Sequence, residues 1–291
     1  MNQLASFPPE VFDSWAEVYD TQPNPLLSLE QRVLGPGLGE IRGLDVLDAG
    51  CGTGRWLHQL VDRRPRSLIG VDTSPAMLAL AADKLGHSYD LRLGSCTALP
   101  VGDAAADIVL SSFVVSYLDD LEAFAQEIER VARPGATIFL TDMHPDTELS
   151  CNWKRGFQAR GSDILIHGRG WSLDQIRQAF HACGFKLVSL MEPTFSVEEK
   201  QIFEQCGRLD LYESALTLPA IYVMQLRKPP SSPRSRKATW DPAGPIQLTG
   251  ARLALGADAA AAGSVAIAGG TIHLIQSKSS AAGTPFGGTH A

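Results

Sequence analysis

Short runs of apolar residues recur along the first three quarters of the chain, at Asp45–Ala49, Ser67–Val71, Tyr89–Leu93, Asp107–Ser112, Ala136–Thr141, Phe185–Leu190 and Ala220–Leu226. Each has the length and near-continuous apolar character of a strand covered on both faces. The segments between them carry the period of a helix instead. Leu57, Leu60 and Val61 share one face, as do Met77, Leu78, Ala81 and Leu85, and as do Leu121, Phe124, Ile128 and Val131. Thr73-Ser74-Pro75 predicts a helix start, because proline is tolerated in a first turn. Pro134-Gly135 predicts the end of the third helix. Strand and helix in alternation imply a doubly wound α/β sheet joined by right-handed crossovers.

The pattern changes after Lys228. Residues 229–241 form a basic linker rich in proline and serine, opening Pro229-Pro230-Ser231-Ser232-Pro233. Residues 242–291 form an appendage with two strand-like pairs, Ile246–Leu248 with Arg252–Leu255 and Val265–Ala268 with Thr271–Ile275. Gly269-Gly270 suits the turn of the second pair. The stretch from Ser277 is rich in glycine, serine and alanine, a composition expected to be disordered. Residues 1–228 are therefore expected to form the functional domain.

Composition narrows the function. The 291 residues are 44% hydrophobic, enough for a sizeable core, and carry a formal net charge of −7, unlike a general nucleic-acid binder. No apolar run approaches the roughly 20 residues that span a bilayer, and Met1-Asn2-Gln3-Leu4 does not open a secretory signal. The five cysteines are scattered without a CxxC pair, which suggests neither a disulfide framework nor a metal site. A reducing cytoplasm is the expected location.

The chemistry concentrates where the first strand runs into a glycine-rich turn, Leu47-Asp48-Ala49-Gly50-Cys51-Gly52-Thr53-Gly54. The glycines permit tight turns and close approach of a ligand to the main chain, and amide groups at the following helix start would face that ligand. The third glycine comes one residue too early for the GxGxxG of dinucleotide enzymes. Asp48 is poorly placed for a pyrophosphate but suits the cationic amino-acid end of a sulfonium cofactor. Asp72 ends the second strand about 20 residues on, where doubly wound folds place an acid on ribose hydroxyls.

These motifs, with Val71-Asp72-Thr73-Ser74-Pro75, Ala98-Leu99-Pro100, Asp107–Ser112 and Arg133-Pro134-Gly135-Ala136 in order, resemble the class I S-adenosylmethionine-dependent methyltransferases. The likeness is strongest to the small-molecule group related to the ubiquinone and menaquinone methyltransferases. It implies a Rossmann-like, seven-stranded, mostly parallel sheet and transfer of a methyl group to a small-molecule acceptor through O, C or N, leaving S-adenosylhomocysteine. A cofactor-binding protein without turnover is the alternative. By this resemblance Asp48, Gly50, Cys51, Gly52, Thr53 and Gly54 hold the methionine moiety. Asp72 and Thr73 hold the ribose, and Ser95, Cys96 and Thr97 flank the adenine. Serine stands at 95 where many members have aspartate, so no charge faces the adenine amino group there. Ser112 and Phe113 line the methyl end, and Tyr19-Asp20 belongs to an N-terminal segment that closes over the cofactor, unless Tyr19 is a packing aromatic.

Acceptor residues are expected beyond the carboxyl ends of the fourth and fifth strands. Tyr117 and His144 are the catalytic candidates, His144 as a base able to titrate near neutrality or as a histidine bonding the loop backbone. His167 and His58 read as surface and helix residues. Trp153 and Phe157 either stack on a flat acceptor or pack a lid. The insertion Phe195–Leu218, with Tyr212, extends that lid. No His, Asp and Glu cluster has metal spacing, so no metal is expected. Residues 246–275 weakly resemble the opening β-segment of amidohydrolases without the metal-binding HxH, so no hydrolase activity is inferred.

Overall fold

The computed structural model describes residues 9–86, 89–150, 155–159, 161–166, 168–230, 264–268 and 271–275. The chain divides into two units, residues 1–230 and 231–291.

In the first unit the apolar runs become strands because their alternate residues fill two separate cores. Seven strands make one sheet: β1 (Asp45–Ala49), β2 (Ser67–Asp72), β3 (Asp90–Leu93), β4 (Ala106–Ser112), β5 (Ala132–Met143), β8 (Lys186–Met191) and β9 (Ile221–Arg227). Their order is β3-β2-β1-β4-β5-β9-β8, with β9 antiparallel to both neighbours and the first five mutually parallel. Leu47, Val109, Ile138, Leu140, Tyr222 and Met224 bury into one face. Val46, Ile108, Leu110, Phe139, Ile221 and Val223 bury into the other. This period of two on both faces is what a sheet covered on both sides requires.

Helices supply the covers: α1 (Pro9–Tyr19), α2 (Pro25–Gly37), α3 (Arg55–Val61), α4 (Pro75–Leu85), α5 (Leu121–Val131), α6 (Pro145–Ser150), α7 (Leu173–Ala182), α8 (Lys200–Gln205) and α9 (Leu209–Ala215). The stripe expected on α5 is buried, with Ala125 added, and Asp120 caps the helix by accepting from Ala123 N at 2.8 Å. Ser74 caps α4 with Pro75 behind it, as the sequence predicts. Ser172 and Gln175 form a reciprocal capping box on α7.

Pro134-Gly135 does not end a helix. α5 stops at Val131 and β5 starts at once, running through both residues. Gly135, at φ 86°, donates to Lys228 O, and Lys228 N donates to Ala136 O, so backbone pairing continues where a turn was expected. Pro134 lacks an amide to pair and is accommodated beside this positive-φ glycine.

A hairpin of β6 (Arg155–Ala159) and β7 (Ser162–Ile166) interrupts the α/β alternation between β5 and α7. In the second unit β10 (Ser264–Ala268) pairs antiparallel with β11 (Thr271–Ile275). The pair expected at Ile246–Leu255, the linker from Ser231 on, and Trp153 and His167 lie outside the described residues. Among the described residues no helix is long and apolar enough to cross a membrane.

Candidate active site

The order of strands reverses between β1 and β4, and a crevice opens at their carboxyl ends, where ligands of doubly wound sheets bind. The turn after β1 is shaped by three positive-φ glycines, Gly50 (82°), Gly52 (54°) and Gly54 (73°). At Gly50 a side chain is excluded by space as well: a Cβ would lie 2.3 Å from Val114 Cγ2. Gly50 and Cys51 both donate to Val71 O, which ties the turn to the end of β2.

Asp72 braces the same turn. Its Oδ2 accepts from Gly52 N at 2.8 Å and its Oδ1 from Ser74 N at 2.9 Å. The Thr73 amide is a third backbone donor to this carboxylate, which leaves one acceptor site for a ribose hydroxyl. Burial raises its pKa, and the backbone donors oppose that rise. Ser95 Oγ accepts from Thr97 N and sits 2.8 Å from Thr97 Oγ1, so the three residues at 95–97 form a local turn beside this acid. Burial pushes the Cys51 and Cys96 thiols up, making them packing groups rather than nucleophiles.

The N-terminal segment fastens over the turn. Asp13 on α1 accepts from Ser74 Oγ and from Ala76 N at the head of α4. Asp20 accepts from Thr53 Oγ1 at 2.8 Å and pairs with Lys84 at 2.9 Å. This places Tyr19 beside the crevice, half-buried, its phenol pushed up to about 12 mainly by burial. At neutral pH it is a hydrogen-bond donor.

Glu30 of α2 is fully buried. Its Oε1 accepts from Ser112 Oγ at 2.7 Å and from Thr141 Oγ1; its Oε2 accepts from Arg55 and from Trp56 Nε1 at 3.2 Å. Arg55 NH2 also reaches Ser112 Oγ at 3.0 Å. One carboxylate thus joins α2, the first turn of α3 and the ends of β4 and β5, with the hydrogen bonds that a buried charge needs. Nothing local in the sequence marks Glu30, which reads as an ordinary charge on an amphipathic helix.

At the glycine turn two buried atoms, Asp48 Oδ1 and Arg55 NH1, have no hydrogen-bond partner among the described residues. Asp48 is 1% exposed, and burial lifts its carboxyl to about 7, Glu30 and Asp72 adding to the rise and Arg55 opposing it. An unpaired acid and an unpaired arginine nitrogen at one glycine turn match an α-amino acid, which offers an ammonium and a carboxylate. The methionine end of S-adenosylmethionine is such a group, so the residues fit this cofactor.

Beyond the turn lies a cavity of about 950 Å³. Trp15 and Tyr19 of α1 line it, as do Leu26 and Leu27 of α2, Phe113 and Tyr117 after β4, and Met143 at the end of β5. The β6–β7 hairpin contributes Phe157, Ile164 and Leu165; Phe195 comes from the stretch before α8, Phe203 from α8 and Arg208 from the turn before α9. Phe113 holds φ 55°, a conformation a bulky residue adopts only when its surroundings impose it; here its amide donates to Thr141 O at 2.8 Å. Trp15 stacks on Phe157 at 5.2 Å and meets the Tyr117 ring edge-on at 6.5 Å.

The structure therefore brings Tyr19, Phe113, Tyr117 and Phe157 to one cavity. Ser112 is drawn into the Glu30 network instead. His144 is buried with Nε2 2.8 Å from Glu192 Oε1, its Nδ1 lacks a partner, and it is not among the cavity-lining residues. Tyr212 is also buried away from the lining, its hydroxyl donating to Ser196 O at 3.2 Å. His58 is exposed on α3. Among the described residues no cluster of His, Cys, Asp and Glu could hold a metal ion.

Residues 47–140 match the family model described as a methyltransferase domain. The malonyl-[acyl-carrier protein] O-methyltransferase of Serratia marcescens is 32% identical over 180 residues, covering 61% of this chain and 68% of that protein. The chain belongs to the S-adenosylmethionine-dependent methyltransferases. The demethylmenaquinone methyltransferase of Lactococcus lactis is 29% identical over 168 residues, covering 54% of this chain and 65% of the relative. The fold is shared with an S-adenosylmethionine-dependent methyltransferase from Mesorhizobium loti, at a TM-score of 0.55 and 19% identity over 70% of this chain and all of that one. The cofactor of this methyltransferase is accordingly S-adenosylmethionine. The amidohydrolase-like character of residues 246–275 finds no support among these relatives.

Proposed function

We propose that this methyltransferase binds S-adenosylmethionine across the turn at Gly50–Gly54 and methylates a small-molecule acceptor held in the cavity beside it. The observation that carries the reading is the pairing of two buried polar atoms without partners, Asp48 Oδ1 and Arg55 NH1, with an aromatic cavity that opens next to them at the ends of β4 and β5. Bound there, the cofactor supplies an activated methyl group on a sulfonium sulfur. Asp48 holds its ammonium, Arg55 its carboxylate, and the remaining acceptor site of Asp72 a ribose hydroxyl. Gly50, Cys51, Gly52, Thr53 and Gly54 cradle it, with Thr73 beside the ribose and Ser95, Cys96 and Thr97 along the base. Tyr19, Phe113 and Tyr117 position the acceptor and keep water from the reacting atoms. Placement and desolvation do most of the work in such a displacement.

The cysteines Cys51, Cys96, Cys183 and Cys206 are free thiols, which supports a reducing, cytoplasmic setting. The net charge of −7 supports a small molecule rather than nucleic acid as the acceptor. The test is a product balance: full chain, methyl-labelled cofactor and a panel of aromatic and aliphatic acceptors. The reading predicts labelled product and S-adenosylhomocysteine in equal amounts with at least one acceptor. Cofactor binding without release of S-adenosylhomocysteine across the panel would favour a binding protein without turnover.

A further inference from the structure

Asp48 and Arg55 are neighbours of opposite sign that do not meet. Arg55 lies near enough to oppose the upward push of burial on the Asp48 carboxyl, and Asp48 in turn supports the charge on Arg55. Yet Asp48 Oδ1 and Arg55 NH1 each lack a partner among the described residues. Where little water enters, such a pair attracts strongly and closes unless something holds it open. A closed pair would satisfy both groups and leave neither for a ligand.

Glu30 supplies the restraint. Its Oε2 accepts from Arg55 NH2, and Ser112 Oγ accepts from the same nitrogen at 3.0 Å. The guanidinium also lies over the Trp56 ring, 5.1 Å from its centre, and that indole is itself fixed by donating to Glu30 Oε2 at 3.2 Å. A guanidinium is a rigid planar fork, so holding NH2 and one face sets the direction of NH1. Glu30 cannot follow Arg55 toward Asp48. The Ser112 and Thr141 hydroxyls hold its Oε1, and buried Leu29 and Leu34 anchor its helix.

We propose, resting on the cofactor reading above, that Glu30 is a positioning residue that holds Arg55 off Asp48, keeping the two apart so that the ammonium and carboxylate of one α-amino acid pair with them instead of with each other. Glu30 acts through Arg55. The two buried atoms left unpaired in the unliganded protein are a standing penalty, and a ligand with both charges on one carbon removes it. A ligand without the amino-acid end leaves the penalty in place. Glu30 thereby makes the crevice selective for a zwitterion.

The test uses Glu30→Gln in the full chain. Glutamine keeps the length, can donate to the two hydroxyls and can accept from Arg55, but its neutral bond competes poorly with a charged Asp48. Arg55 is then expected to close onto Asp48. Two probes are titrated by calorimetry at neutral pH: S-adenosylhomocysteine, and 5′-methylthioadenosine, which has the nucleoside and the thioether without the amino-acid end. The native chain is expected to prefer S-adenosylhomocysteine by about tenfold or more. Glu30→Gln is expected to lose about tenfold in S-adenosylhomocysteine affinity while 5′-methylthioadenosine stays within about threefold. Unchanged S-adenosylhomocysteine affinity would overturn the inference, and so would an equal loss for both probes, which a merely structural role would give. Should Glu30→Gln fail to fold, Arg55→Lys takes its place. Both charges remain, but a single nitrogen engaged by Glu30 is no longer a fork, and the same split between the probes is expected. No loss, or an equal loss, overturns the inference there too. A native chain that binds both probes equally would sink the Asp48–Arg55 assignment itself, and one that binds neither would sink the cofactor reading, so each failure is distinct.

Discussion

Replacing Asp48 with asparagine sets stability against function at a single buried oxygen. Asp48 is 1% exposed and its Oδ1 has no partner. Burial carries its pKa from an ordinary 3.8 to about 7, which corresponds to a destabilisation on the order of 4 kcal/mol once the group must ionise. The sign follows from proton binding. Between the unfolded and folded values the folded protein holds more protons at this site, so stability falls as pH rises from about 4 to about 7 and stays low above. Asparagine carries no charge and escapes this loss, although its buried amide still lacks partners at a cost of about 1–3 kcal/mol. Asp48→Asn should therefore be at best equal to the native chain in urea unfolding at pH 4.5. It should gain on the native chain with rising pH, to about 1–3 kcal/mol at pH 8. The same variant should lose about tenfold or more in S-adenosylhomocysteine affinity, and the proton release that accompanies binding near pH 6 should disappear. A stability difference independent of pH, or unchanged affinity, would refute the reasoning.

Glu30→Ala leaves Arg55 buried without its counter-charge and should cost about 3–5 kcal/mol in urea unfolding, with cofactor affinity lost alongside. Gly50→Ala forces a side chain onto a positive-φ position and to within 2.3 Å of Val114; it should cost about 1–3 kcal/mol and abolish cofactor binding in the same titration. Ser172→Ala removes the reciprocal cap of α7, outside the cavity lining, and should cost about 1 kcal/mol while calorimetry shows unaltered cofactor binding.

The sheet was legible because its strands are buried on both faces. β1 matches its apolar run residue for residue, and β2, β4, β8 and β9 differ from theirs by one residue at one or both ends. The clear departure is β5, whose early start past Pro134-Gly135 depends on pairing with Lys228, a contact no local pattern encodes. The glycine turn was legible for a similar reason: its conformation is written in residues whose side chains are missing. The Glu30–Arg55 network was not, because a charge becomes meaningful only when tertiary packing removes its water, and the partners lie 25, 82 and 111 residues away along the chain. His144 illustrates the opposite limit. Position at the end of β5 marked it for chemistry, but the direction of its ring, toward Glu192, is set by a loop 48 residues further on.

Calorimetric titration of the full chain with S-adenosylhomocysteine, against NAD as control, tests the central claim most directly. The account predicts one site per chain with a Kd of about 1–100 µM, weakened at least tenfold in Asp48→Asn, and no binding of NAD. Absence of S-adenosylhomocysteine binding at millimolar concentration, or equal affinity in the variant, would contradict it.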